Sequence, residues 1–347
     1  MLRTAGKVLA LVAVVGSMGL VKAQNTELMG AGATFPYPLY SKMFDIYKKE
    51  FGVKINYQPI GSGGGIKQLE SRTVDFGATD AFMSDDELKE SSSEIVHIPM
   101  CLGSVAVTYN IPGNPKLKLT PSILADIFLL KIKKWNDNSI MAANPDIKLP
   151  NMNIVVVHRA DGSGTTSIFT DYLSKVSPEW KQNVGAGKSV KWPGGVGGKG
   201  NEGVSGYVKQ IKGSIGYAEL AYTIQNNMPQ AYLQNPAGNF VKPTLESTSI
   251  AADVNIPSDT RTSLTNSVSE GSYPISGFTW IIIYKEQKYD NRTLEKSQAL
   301  IKLLSWMITD GQKYATPLDY SPLPKIAAER ATAILKSITF DGKAILQ

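Results

Sequence analysis

One cysteine and two histidines are all that the 347 residues contain by way of soft metal ligands. A lone Cys101 closes no disulfide within the chain, and two His with one Cys fall short of the usual zinc sets, so no zinc site is expected. Cys101 reads instead as a small buried hydrophobe. Beyond the N-terminus no run is long and apolar enough to cross a bilayer, Trp280 to Tyr284 included. With 42% hydrophobic and 19% charged residues, the chain lacks the biases of disordered, collagen-like or coiled-coil sequences. At roughly 150 residues per domain, its length allows about two domains, each able to bury a core of its own.

The N-terminus reads as an address. Arg3 and Lys7 precede an apolar run from Val8 to Leu20, shorter than the roughly 20 residues a membrane span needs. Val21-Lys22-Ala23 then places small residues where a signal peptidase cuts, so cleavage is expected after Ala23. No cysteine follows that run, which argues against a lipid anchor there, and the expected product is exported and soluble. Losing Arg3, Lys7 and Lys22 from the 36 basic residues leaves 33 against 30 acidic. So small an excess points to no nucleic acid or acidic membrane. The densest basic cluster, Lys131, Lys133 and Lys134, reads as a solvated helix end.

Helical and strand patterns alternate. Leu39, Met43 and Tyr47 with Tyr40, Phe44 and Phe51 mark an amphipathic helix stopped by Gly52, and Val53 to Ile60 reads as a strand. Gly61 to Gly65 turns into a second helix, and Ser84-Asp-Asp-Glu87 is a capping box. Ile95 to Pro99 and Ser104 to Asn110 read as two strands. Thr120-Pro121 opens a helix, Asn153 to Arg159 is a Val-rich strand, and a helix begins near Gly162. The glycine-rich stretch from Gly185 to Gly216 cannot be regular throughout, and Gln234 to Ser272 resists placement. Phe278 to Tyr284 reads as a buried strand, with helices near Thr293 to Met307 and Ile326 to Ser337. The fold class implied is α/β with a mainly parallel sheet.

Three segments repeat one chemical theme, in which small and hydroxyl residues stand where a strand gives way to a helix. They are Gly30 to Pro36 with Thr34 and Phe35, Gly61 to Gly65 with Ser62, and Arg159 to Thr166 with Asp161, Ser163, Gly164 and Thr165. The first N–H groups of a helix lack partners and carry about half a positive charge, so such junctions capture anions. Three of them suggest convergence on one oxyanion. Neither Gly61 nor Lys199 lies in a Walker loop. Gly195, Gly197 and Gly200 spell G-x-G-x-x-G without a clear preceding strand. A catalytic Ser163 would need His97 or His158 as base, and both read as strand or core residues.

Asp80 and Asp161 qualify the anion. An ionised carboxylate only accepts hydrogen bonds, so beside a fully deprotonated anion it repels. Phosphate, with a second pKa near 6 to 7, keeps a proton to donate at neutral pH, whereas sulfate keeps none. Asp80 is thus expected to admit phosphate and reject sulfate, with Arg159 supplying a cationic fork to the ligand, to Asp161 or to both. The alternative on the same cradle is an exported phosphatase or phosphotransferase using Ser163 or Thr165.

GAGATFPYP (Gly30 to Pro38), IGSGGGIKQ (Ile60 to Gln68), DFGATDA (Asp75 to Ala81), KIKKWND (Lys131 to Asp137), RADGSGTT (Arg159 to Thr166) and VKWPGGVGGKGN (Val190 to Asn201) closely resemble the periplasmic phosphate-binding proteins of bacterial phosphate ABC importers. The likeness runs from about Thr26 into the last helices. It implies the two-domain periplasmic binding protein fold of type II, each domain a mainly parallel sheet flanked by helices. Behind a signal peptide over 1–23, residues 24–108 plus 279–347 would form one domain and 109–278 the other, with hinge strands near Val105 to Asn110 and Phe278 to Tyr284. It further implies a monomeric, non-enzymatic periplasmic receptor without cofactor that hands inorganic phosphate to ABC permease subunits and their ATPase in the inner membrane. Carried onto this chain, the phosphate ligands are Thr34, Phe35, Ser62, Asp80, Arg159, Asp161, Ser163, Gly164 and Thr165. Three neighbours depart from the family pattern: Gly63 where a second Ser is frequent, Thr79 where Ser is usual, and His158 where Arg is common.

Overall fold

Eight strands build one mixed sheet in the computed structural model, which describes residues 26–346; the expected signal peptide over 1–23 lies outside them. The strands are β1 (Glu27–Gly32), β2 (Lys54–Pro59), β3 (Phe76–Thr79), β4 (Ile95–Tyr109), β5 (Val155–Arg159), β6 (Val196–Gly198), β7 (Ser214–Glu219) and β8 (Ser276–Tyr284). They lie in the order β2-β1-β3-β8-β4-β7-β5-β6. At one end β1 runs parallel to β2 and β3, and at the other β5 runs parallel to β6 and β7. Between these two parallel halves, β8 lies antiparallel to β3 and β4, and β4 antiparallel to β7.

The strand β4 corrects the reading of Ile95 to Pro99 and Ser104 to Asn110 as separate elements, because its 15 residues form one ladder serving both halves. Its first part pairs with β8 and its last, from Val105, with β7. Met100, Cys101 and Leu102 between them are buried and carry no turn signal, so the backbone continues through them with one irregularity opposite Thr279 and Trp280. The passage between halves falls at Ser104 and Ser276, which stand opposite each other with hydroxyls 3.3 Å apart.

The helices that bear on the site and its support pack, with one exception, where the sequence patterns put them. They are α1 (Tyr37–Phe51), α2 (Ser62–Glu70), α3 (Asp85–Glu90), α4 (Pro121–Phe128), α5 (Gly164–Val176), α6 (Gly200–Gln210), α7 (Leu294–Met307) and α8 (Lys325–Lys336). Helix α1 buries Leu39, Tyr40, Met43, Phe44 and Tyr47, the apolar stripe of the sequence, and stops at Gly52. Both reciprocal bonds of the Ser84 capping box form. Helix α6 lies inside the glycine-rich stretch and escaped the sequence reading, since glycine is a poor helix former and no flanking apolar run announces it. The Pro- and Asn-rich stretch straps the first half, with Ala252, Ile256 and Leu264 packed against Leu102, Phe278, Trp280 and Ala327.

Helix α2 rests on the sheet through Gly65. A Cβ there would lie 2.5 Å from Gly32 Cα and 2.6 Å from the Ala31 carbonyl oxygen, both backbone atoms with no room to retreat. Gly65→Ala is therefore expected to destabilise the protein by about 1–3 kcal/mol. The check is a lower urea midpoint at unchanged slope, and an unchanged midpoint would refute the close approach.

Candidate anion-binding site

The three sequence junctions meet at the C-terminal ends of the parallel strands, where open α/β sheets bind ligands. Thr34 and Phe35 follow β1, Ser62 opens α2 after β2, and Asp80 follows β3. From the other half, Arg159 ends β5, Asp161 follows it, and Ser163, Gly164 and Thr165 form the start of α5. Thr34, Phe35, Ser62, Asp80, Arg159, Ser163 and Thr165 are all buried. The halves touch here: Gly63 N–H donates to Gly162 O at 2.9 Å, and Gly164 N–H to Ser62 Oγ at 3.1 Å. The absence of a side chain at position 164 is essential, since a Cβ would stand 2.5 Å from Ser62 Oγ and 2.6 Å from Asp80 Oδ2.

Donors outnumber acceptors in this cluster. Ser163 Oγ is committed to capping α5 by accepting Thr166 N–H at 3.0 Å. The backbone N–H groups of Phe35, Ser62 and Thr165 meet no acceptor among the described residues. Arg159, with five N–H groups, donates Nε to Asp161 Oδ1 at 2.8 Å, Nη2 to Asp161 Oδ2 at 2.5 Å and Nη1 to Thr165 Oγ1 at 3.2 Å. The remaining guanidinium N–H groups meet no acceptor among the described residues. Burial alone would raise Asp161, but the Arg159 guanidinium and the Gly200 N–H, which donates to Oδ1 at 3.0 Å, hold it below its ordinary value. Asp161 is thus an ionised brace for Arg159 and for the start of α6.

Asp80 behaves oppositely. Burial pushes its carboxyl from an ordinary 3.8 up to about 7, against the lowering by a Thr279 hydrogen bond, the Arg159 charge and Ser62. Thr279 Oγ1 donates to Oδ1 at 2.8 Å, while Oδ2 has only the distant Ser62 hydroxyl at 3.4 Å. A carboxylate with one oxygen engaged and the other nearly free is an acceptor for a proton brought by a ligand.

The three departures from the family pattern are accounted for locally. Gly63 makes the backbone bond between the halves, Thr79 Oγ1 donates to Ala81 O at 2.6 Å, and His158 stacks on Trp192 with ring centroids 4.8 Å apart. His97 is buried and accepts Met83 N–H on Nε2 at 3.0 Å. Neither histidine contacts Ser163 or Thr165, and no group of three metal-ligating side chains occurs among the described residues.

Sequence reasoning missed several residues that support the site. Thr279 looked like one member of an apolar strand, and Asn201 is the last residue of the glycine-rich motif. Tyr222 and Tyr320 donate their hydroxyls at 2.6 Å to the carbonyls of Thr34 and Phe35, aligning that junction from far away in sequence. Only Asn201 carried a signal, as the polar residue where glycines give way to α6.

Comparison with known proteins agrees with this geometry. Residues 21–311 match the family described as the PBP superfamily domain. The chain is 48% identical over 310 residues to a phosphate-binding protein PstS of Xylella fastidiosa, covering 87% of this chain and 83% of that one. It is 44% identical over 348 residues to the phosphate-binding protein PstS of Pasteurella multocida, covering 97% and 98%. A phosphate-binding protein from Stenotrophomonas maltophilia shares the fold at a TM-score of 0.65 and 18% identity, over 89% of this chain and 93% of that one. By its relatives, its fold and the match over most of its length, the chain belongs to the PBP superfamily and, within it, to the phosphate-binding proteins named PstS.

Proposed function

We propose that this chain is an exported receptor that captures inorganic phosphate between two domains and delivers it to the permease subunits of an ABC importer in the inner membrane. Thr34, Phe35, Ser62, Asp80, Arg159, Asp161, Ser163, Gly164 and Thr165 form the phosphate site, with Asp161 and Ser163 acting chiefly as supports. The domains are residues 24–108 plus 279–347 and residues 109–278, closing about Ser104 and Ser276. The mature chain begins after Ala23 and works as a periplasmic monomer.

One observation carries this reading: N–H donors from both half-sheets without an acceptor among the described residues come together with an under-used carboxylate, Asp80. Such a set suits an anion that accepts at most oxygens and donates at one, which describes phosphate. Around ten charge-assisted hydrogen bonds in a closed cleft would supply ample free energy, since each is worth about 1.5–3 kcal/mol before desolvation. Closure also engages Lys188 Nζ with Glu87 Oε1 at 2.6 Å across the cleft mouth. Among the described residues no general base is hydrogen-bonded to Ser163 or Thr165, so nothing here favours an esterase mechanism.

The test is calorimetric titration of the mature chain, stripped of ligand by unfolding and refolding, with phosphate and then sulfate at pH 8. One-to-one phosphate binding at micromolar or tighter affinity, without sulfate heat, is the expected result. Absent phosphate binding, or equal sulfate binding, would refute it and return phosphoesters to consideration.

A further inference from the structure

Asn201 stands at the start of α6, outside the set of ligands carried over from the family, yet it is fully buried where the two half-sheets meet. Its Oδ1 accepts the backbone N–H of Glu219 at 2.9 Å, which fixes the orientation of the amide. Nδ2 therefore faces the cleft and donates to Thr34 Oγ1 at 2.8 Å and to Thr165 Oγ1 at 3.2 Å. The backbone N–H of Asn201 donates to Thr34 Oγ1 as well, at 3.2 Å. One residue of the second half thus holds a hydroxyl from each half.

A hydroxyl owns one proton and two lone pairs. Thr34 Oγ1 accepts twice from Asn201, and Thr165 Oγ1 accepts once from Asn201 and once from Arg159 Nη1 at 3.2 Å. With both acceptor positions occupied, each threonine can only donate its O–H. Neither hydroxyl donates to a protein acceptor among the described residues.

We propose that Asn201 is a positioning residue that makes Thr34 and Thr165 donors only, and so decides which way round a singly protonated phosphate sits. The proposal rests on the phosphate reading. A ligand oxygen bearing a proton finds no acceptor at either threonine, and Asp161 already accepts three hydrogen bonds from Arg159 and Gly200, whereas Asp80 Oδ2 has the Ser62 hydroxyl at 3.4 Å. The protonated oxygen is thereby directed to Asp80. Selectivity at Asp80 then depends on a residue that touches neither Asp80 nor the anion, and the same amide joins the two half-sheets only when they are closed.

Two substitutions separate this role from packing. Asn201→Asp keeps the shape and the acceptor for Glu219 N–H but replaces a donor with an acceptor, turning both threonine hydroxyls away from the ligand. Asn201→Ala leaves a cavity but no competing acceptor. Phosphate affinity, measured by calorimetry, is expected to fall about 10- to 100-fold in Asn201→Ala and at least about tenfold further in Asn201→Asp. Alanine weaker than aspartate would point to packing; aspartate also brings a negative charge toward the anion, so the Thr34→Val background decides between the roles. In a Thr34→Val background the Asn201→Ala loss is expected to shrink severalfold, since one hydroxyl it controls has gone. Should Asn201→Ala fail to fold by circular dichroism, Asn201→Ser replaces it in both comparisons. Affinities equal to wild type, an alanine variant weaker than the aspartate variant, or additive losses with Thr34→Val would each overturn the proposal. A wild-type chain that binds no phosphate would overturn the phosphate reading itself, and this role with it.

Discussion

Arg159→Met is expected to lower phosphate affinity by about 30- to 5,000-fold, because truncating one partner of a buried, hydrogen-bonded charge pair costs about 2–5 kcal/mol. The guanidinium is buried, its side chain 1% exposed, and it serves Asp161 and Thr165 at once. Removing it strands Asp161, which is 12% exposed and would keep only the Gly200 N–H. Stability should fall by about 3–5 kcal/mol, the usual cost of breaking a buried pair from one side. Arg159→Lys keeps the charge but cannot span both Asp161 oxygens and Thr165, so its phosphate loss should be intermediate. Calorimetry with phosphate and urea unfolding of the ligand-free variants check both. Binding by Arg159→Met within tenfold of wild type would remove Arg159 from the site.

Asp80→Asn should collapse the preference for phosphate over sulfate by about a hundredfold or more at pH 8. Ionised Asp80 lies within a desolvated cleft, where a like charge near 4 Å costs about 4 kcal/mol at an effective dielectric of 20. Asparagine removes that repulsion and offers an N–H to sulfate, while phosphate loses the acceptor for its proton. Because burial raises Asp80 to about 7, the wild-type protein is itself expected to lose selectivity in acid. Below that pH the neutral carboxyl can donate, so sulfate affinity should rise by up to about tenfold per pH unit, while Asp80→Asn stays flat. Sulfate titrations at pH 8, 6.5 and 5 decide the matter. A wild-type protein that excludes sulfate equally at all three would refute the raised carboxyl.

The same carboxyl leaves a signature on stability. Unfolded, Asp80 titrates near 3.8, and folded near 7, so between these values the folded chain holds a proton that the unfolded chain has lost. Its contribution therefore weakens stability as pH rises through that window, by up to about 1.4 kcal/mol per unit. His97 works in the other direction: burial lowers it from 6.5 to about 3, so its contribution strengthens stability as pH climbs over that range. The wild-type curve mixes the two. The difference between Asp80→Asn and wild type isolates Asp80 and should grow in favour of the variant between pH 4 and 8.

The sequence by itself determined most of the longer regular elements, though not helix α6 or the continuity of β4, and it singled out the junctions that the fold brings together. Helix α1 was legible because its apolar stripe repeats at helical spacing, and Thr34, Ser62, Asp80, Arg159 and Thr165 because glycines and hydroxyls beside a strand end have a local chemical meaning. Tertiary structure decided everything that depends on which strand lies beside which. Whether Ile95 to Asn110 is one strand or two turned on partners distant in sequence, β8 for its first part and β7 for its last. The opposite fates of two aspartates turned on neighbours as well: Asp161 is paired by Arg159 and Gly200 and is held below its ordinary value, while Asp80, with Thr279 and Ser62 as its side-chain partners, is pushed up to about 7 by burial. Arg159, two residues before Asp161, is the local difference between them; the rest follows from desolvation and from groups brought up by the fold, such as Gly200 and Thr279. Asn201 shows the same limit, for its hydrogen bonds reach Thr34, Thr165 and Glu219 only after the two half-sheets have come together.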